Sequence, residues 1–180
     1  MKLSTLSILL GTVYALVCIW GLLDRRRFTH WLRGFHRNLP FGVMLMLLGT
    51  AWFEYNLAGD TISDFKDWKP LLQILFAAAG LGSCFFLQDY LSIRGLAIVM
   101  LMGGFVLLET QRSHESPWKN VITTWAYGMI VMAMWFVVSP WRARDWIGWH
   151  LASENRLRTG LIWRTVLGVF VAVLGLTLLK

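Results

Sequence analysis

The stretch Asp24–Pro40, DRRRFTHWLRGFHRNLP, lies between two apolar runs and decides how the rest of the chain is read. It holds Arg25, Arg26, Arg27, Arg33 and Arg37. Phe28, Trp31, Leu32 and Phe35 fall at i, i+3, i+4 and i+7, a spacing that stacks side chains on one face of a helix. Arg26, His30, Arg33 and Arg37 repeat that spacing on the opposite face. The pattern predicts a basic amphipathic helix over 26–37 lying along a membrane surface. Arginines placed this way also mark the cytoplasmic side, and so orient everything else.

Outward from this segment run apolar stretches over 3–23 and 41–58, then 70–88, 93–111, 119–138 and 160–179. Each comes close to the roughly 20 residues needed to cross hydrocarbon. The expected fold is an all-α integral membrane protein: one domain over 1–180, a polytopic bundle of six transmembrane helices, with interfacial helices over 26–37 and 140–154. The fourth crossing is the weakest, because only Gly95–Leu108 is free of polar interruption. It reaches across if Leu91, Ile93 and Glu109–Gln111 continue the helix; otherwise five helices cross and the termini lie on opposite sides. Pro40, Pro70, Pro117 and Pro140 all fall at predicted helix starts, and none interrupts an apolar run.

Composition agrees. Hydrophobic residues make up 57% and charged residues 15%, against roughly 45–50% and about 25% in soluble domains. The net charge of +7 does not point to nucleic acid, since 10 of the 17 Lys and Arg sit in Arg25–Arg37 and Arg142–Arg164. Anionic headgroups account for that placement. The arginines expected to meet them are Arg25, Arg26, Arg27, Arg33, Arg37, Arg142, Arg144, Arg156 and Arg158.

Only Lys2 precedes the first run and DRRR follows it, which reads as a retained helix rather than a cleaved signal. Ala15–Cys18 resembles a lipoprotein cleavage site, but Val17 is bulky where a small residue is wanted. The connections joined to the arginine-rich segment carry 11 of the 17 basic residues and the opposite side 6. The expected location is the plasma (inner) membrane with both termini outside the cytoplasm. The first and last hairpins share a layout of crossing, basic aromatic segment, crossing; any inner-looped membrane hairpin would share it too.

Charge inside a bilayer is costly, so ionisable residues within the crossings are the first place to seek chemistry. Glu54, Asn56, Gln73 and Glu109 fall at similar depth and form a candidate outer polar cluster able to hold a proton or cation. The alternative is that each reaches the outer headgroup region alone. No catalytic residue, metal site or cofactor is expected. His30, His36, His114 and His150 all lie in connections, and His114-Glu115 beside Glu109 matches no established ligand spacing. Cys18 and Cys84 lack a neighbouring positive charge and read as packing residues. Nine of the 11 tryptophans, Trp20, Trp31, Trp52, Trp68, Trp118, Trp141, Trp146, Trp149 and Trp163, fall at or near run ends as interface belts. Asp89 and Arg94 flank a tight turn that an ion pair could staple.

Small residues suggest close helix packing: Gly11, Ala15 and Cys18 in the first run, Ala77–Gly80 with Gly82 and Ser83 in the third, Gly168, Ala172 and Gly175 in the sixth. The first and sixth helices are expected to meet each other or a partner. The leading function is a non-catalytic membrane subunit or accessory protein binding lipids, with a membrane-protein partner or a second copy of itself. A small transporter or channel comes second, with Thr50, Thr123 and Thr124 as pore-lining hydroxyls. A membrane-embedded enzyme on lipid substrates comes third, built on Glu54, Glu109 and His114.

Overall fold

The computed structural model describes residues 3–59, 67–112 and 116–178. Every regular element among them is helical: α1 (Leu3–Leu23), α2 (Arg25–Gly34), a single 3-10 turn (Phe35–Arg37), α3 (Leu39–Gly59), α4 (Lys69–Phe86), α5 (Leu91–Arg112), α6 (Lys119–Val138), α7 (Pro140–Leu151) and α8 (Glu154–Thr177). Six of these, α1, α3, α4, α5, α6 and α8, are long and apolar enough to cross a membrane. The fourth run thus belongs to a helix of 22 residues. Leu91 and Ile93 extend it at its start and are almost wholly buried.

Helix ends follow local chemistry. Asp24 alone separates α1 from α2, and its carboxylate accepts a bond from the backbone N–H of Arg27 at 3.1 Å while pairing with the Arg27 side chain at 3.3 Å. It is therefore the N-cap of α2, satisfying a donor the helix itself leaves free. Asn38 does the same for α3, accepting from Phe41 at 3.2 Å. The helix predicted over 26–37 stops at Gly34, where helix propensity is lowest, and tightens into the 3-10 turn.

The chain divides into two compact units. The first comprises Met1–Gly34, Gly103–Val131 and Arg144–Lys180. Its centre is the pairing of α1 with α8. Ser7, Gly11, Ala15 and Cys18 form a buried stripe on α1. Gly168 and Gly175 face that stripe. A methyl group added at Gly11 would lie 2.5 Å from backbone atoms of both Gly168 and Ala172, and one at Gly175 would lie 2.9 Å from the backbone of Ser4 and Ile8. Backbones this close gain dispersion contacts that larger side chains would forbid. The small-residue stripes of the first and last runs thus meet within one chain. Leu3, Leu107, Ile122, Ala126, Val171 and Leu174 complete this unit's core. The Tyr14 and Trp125 rings meet edge to face at 4.9 Å.

The second unit comprises Phe35–Met102 and Met132–Ala143. Here α3 and α5 touch through glycines: a methyl at Gly42 would lie 2.7 Å from the Ser92 nitrogen, and one at Gly95 the same distance from that of Met46. The buried Ser92 hydroxyl donates to the Phe35 carbonyl at 2.6 Å, tying the 3-10 turn to the start of α5. Tyr90 precedes that start with φ of 59°, a left-handed conformation costly for a bulky side chain. Its ring stacks on His36 at 5.8 Å. α4 buries only Gly80, against Thr50 of α3.

Candidate functional site

The aromatic face of α2 is occupied by its own protein. Phe28 is buried at 5% exposure with Cys18, Leu157 and Leu161, and Trp20 packs edge to face on Phe28 at 5.4 Å and on Trp31 at 5.8 Å. Amphipathic spacing alone predicts this face for lipid; it reports equally well a helix clamped onto neighbouring helices. Clamping fixes where the basic face points. Arg25, Thr29 and Arg33, with Arg26 and His30 one position round, wall one side of a pocket of about 370 Å³. Leu151, Ser153, Glu154 and Leu157 at the α7–α8 corner wall the other.

Arg25, Arg26 and Arg33 have no hydrogen-bond or ion-pair partner among the described residues. Ser153 stands at the N-cap of α8 in extended conformation (φ −141°, ψ 130°), and its hydroxyl makes no capping bond. Three guanidinium groups against the one carboxylate of Glu154 give the pocket a formal charge of +2 from these four groups. Of the other arginines expected at headgroups, Arg37, Arg142 and Arg158 are exposed. Arg27 is held by Asp24, and Arg144 pairs with Asp145 at 2.9 Å.

Arg156 and Arg164 are engaged at the α7–α8 corner. Arg156 donates to the Trp149 carbonyl at 2.9 Å and stacks over its ring at 4.3 Å. Arg164 lies over the Trp146 ring at 4.8 Å and donates to His150 Nε2 at 2.9 Å, while His150 Nδ1 donates to the Trp146 carbonyl at 3.1 Å. Trp146, Trp149 and His150 stand at i, i+3 and i+4 on α7, so their common face was visible in the sequence. The Arg164 partner fourteen residues away was not.

These contacts require the neutral imidazole with its proton on Nδ1, since Nε2 must offer a lone pair to a guanidinium. Burial lowers the His150 pKa below its ordinary 6.5, and the Arg164 and Arg156 charges act in the same direction against the opposing Trp146 bond. The folded state then binds this proton less tightly than the unfolded chain. Stability is full above the unfolded value and falls as pH drops through it toward the folded one. Melting temperature should therefore drop more in the native protein than in His150→Gln between about pH 7.5 and about pH 5.5. Parallel slopes would refute this role for His150.

The residues expected to form an outer polar cluster are not joined by hydrogen bonds. Asn56 turns its amide onto the Trp52 carbonyl of its own helix at 2.9 Å. Gln73 on α4 bonds to neither Glu54 nor Asn56, and Glu109 is exposed on the part of α5 that belongs to the other unit. Glu54 stands out because its Oε1 is buried and has no hydrogen-bond partner among the described residues. Thr123 and Thr124 satisfy their hydroxyls on carbonyls of their own helix, and Thr123 also bonds Gln111.

Asp89 and Arg94 border the same open cleft without forming an ion pair, and Arg94 Nε is buried without a hydrogen-bond partner among the described residues. The expected staple at that turn is therefore absent; the bonds there run from the backbone of Ile93 and Arg94 to the Tyr90 carbonyl. No group of three or more His, Cys, Asp or Glu side chains comes together at metal-binding range among the described residues. Asp60, Asp64, His114 and Glu115 lie outside them. Between α3, α4 and α5 runs an apolar groove of about 300 Å³, lined by Phe53, Phe76, Ile98 and Met102 with the hydroxyls of Thr50 and Ser83. No family model, curated protein or solved structure matches this chain.

Proposed function

We propose that the chain is a multi-pass protein of the plasma (inner) membrane, its arginine-rich face in the cytoplasm and both termini outside. In this reading it is a non-catalytic subunit or accessory protein that docks to lipids and to another membrane protein. The observation that carries the reading is the surface of α4. Leu71, Ile74, Leu75, Leu81, Phe85 and Phe86 are exposed along a helix that buries only Gly80. Apolar surface of this extent needs hydrocarbon or a partner to cover it. The hydroxyls along the long helices support the same view, since Ser83, Thr124, Thr165 and Thr177 spend their protons on carbonyls one turn back. Such groups offer little to a substrate.

Purification from native membranes in mild detergent should recover a stoichiometric membrane partner, and substituting Ile74 and Phe85 by Ser should release it. Recovery as a lone monomer with measurable flux would overturn the proposal.

The unpartnered oxygen of Glu54 favours a second reading, a small transporter or channel. A buried carboxylate oxygen without a donor calls for a proton or a cation. If this reading holds, Glu54→Gln abolishes ion-dependent flux in proteoliposomes while the protein stays folded. Unchanged flux would remove it.

A further inference from the structure

We infer that the pocket between α2 and the α7–α8 corner binds a single phosphate group. Three guanidinium groups from one helix, Arg25, Arg26 and Arg33, converge on it, and none is committed to another residue among those described. A guanidinium is a planar fork of donors that pairs with oxyanions in bidentate fashion. One carboxylate ligand would be saturated by a single arginine. A terminal phosphate offers three oxygens and up to two negative charges, which matches three arginines and a pocket charge of +2.

The Thr29 and Ser153 hydroxyls stand on opposite walls and can supply neutral donors; that of Ser153 is free of capping duty. The volume of about 370 Å³ exceeds what one phosphate fills and leaves room for the group that carries it. Position is fixed from behind: Phe28, on the far side of α2, is locked into the core with Leu157 and Leu161, so the arginines project from a rigid base. Glu154 opposes the anion and tunes the site downward.

The source of the phosphate is a lipid headgroup or a soluble phosphorylated molecule, and only this choice rests on the membrane reading above. The full chain in neutral detergent, at fixed ionic strength, is titrated with inorganic phosphate, dihexanoyl phosphatidic acid and dihexanoyl phosphatidylcholine. Saturable binding of at least one of the first two, at one equivalent, is expected. Arg33→Gln should weaken it about tenfold and the Arg25→Gln, Arg26→Gln, Arg33→Gln triple should abolish it. Glu154→Gln should tighten it. Arg112→Gln with Arg142→Gln removes two exposed charges outside the pocket lining and should leave affinity unchanged.

Binding of the phosphatidic acid alone assigns a lipid headgroup, and comparable binding of inorganic phosphate assigns a soluble source. Melting curves without ligand separate lost binding from lost folding. The inference falls if neither probe saturates, or if the Arg112 and Arg142 pair weakens binding as much as the triple does. A protein that stays in solution without detergent would sink the membrane reading and leave this test intact.

Discussion

Gly11→Leu is expected to leave no folded protein. Even a methyl group at this position would lie 2.5 Å from the Gly168 carbonyl oxygen and the Ala172 nitrogen. Both are backbone atoms, so no rotamer change relieves the clash; α1 and α8 would have to separate along their length. Overpacking by a methylene or two costs about 1–3 kcal/mol where side chains can adjust, and here they cannot. Separation would also open the core in which Leu3 of α1 is buried together with Val171 and Leu174 of α8. Against a total stability of about 5–15 kcal/mol, losing this interface is decisive.

Gly11→Ala should be the graded version, lowering the melting temperature by about 2–10 °C. Gly128, in the interior of α6, supplies the control, because an added methyl there meets nothing within 4 Å. Gly128→Ala should leave the melting temperature unchanged or raise it slightly, as alanine costs less than glycine in a helix. Thermal unfolding in detergent, followed by helical circular dichroism, measures all three. A Gly11→Leu protein that melts like the native one would mean that α1 and α8 do not pack backbone to backbone.

The α1–α8 contact also shows what the sequence could and could not reveal. Gly11, Ala15, Gly168 and Gly175 signal close approach, since only small side chains allow it. They carry no address, and a partner protein would have left the same stripe. Helix existence was legible because a run of about 20 apolar residues has few other uses and the prolines punctuate it consistently. The fourth run was harder to read: its polar ends look like boundaries until Leu91 and Ile93 are seen to be buried.

Polar contacts between distant residues were not legible. Ser92 meets the Phe35 carbonyl across 57 positions, and no helical period encodes such a pairing. The basic pocket was half visible. The arginine spacing on α2 identified one wall, while Ser153 and Glu154 become its other wall only once Phe28 clamps α2 beside α8. Phe28 also shows why an amphipathic period is ambiguous. The same apolar face suits lipid or protein, and only the neighbouring helices decide.

Orientation is expected to reverse when the charge balance is reversed. With 11 basic residues on the side of the Arg25–Arg37 connection and 6 on the other, a reporter fused after Lys180 should lie outside the cytoplasm. Replacing Arg25, Arg26, Arg27, Arg33 and Arg37 by Gln leaves six on each side, so the reporter should divide between the two compartments. Adding Arg142→Gln and Arg144→Gln leaves four against six, and the reporter should move to the inside.

Insertion sets topology before tertiary packing forms, so loss of ligand at the α2 pocket does not confound the result. Nor does the Asp24 cap, whose bond goes to the Arg27 backbone rather than to its side chain alone. Lys69→Gln is the opposite control, because it widens the original imbalance and should leave the reporter outside. A reporter found inside in the native protein would reverse the assigned faces. Glu54 and the surface of α4 would keep their geometry, but the arginine pocket would then open away from the cytoplasm, and phosphate groups confined there could not reach it.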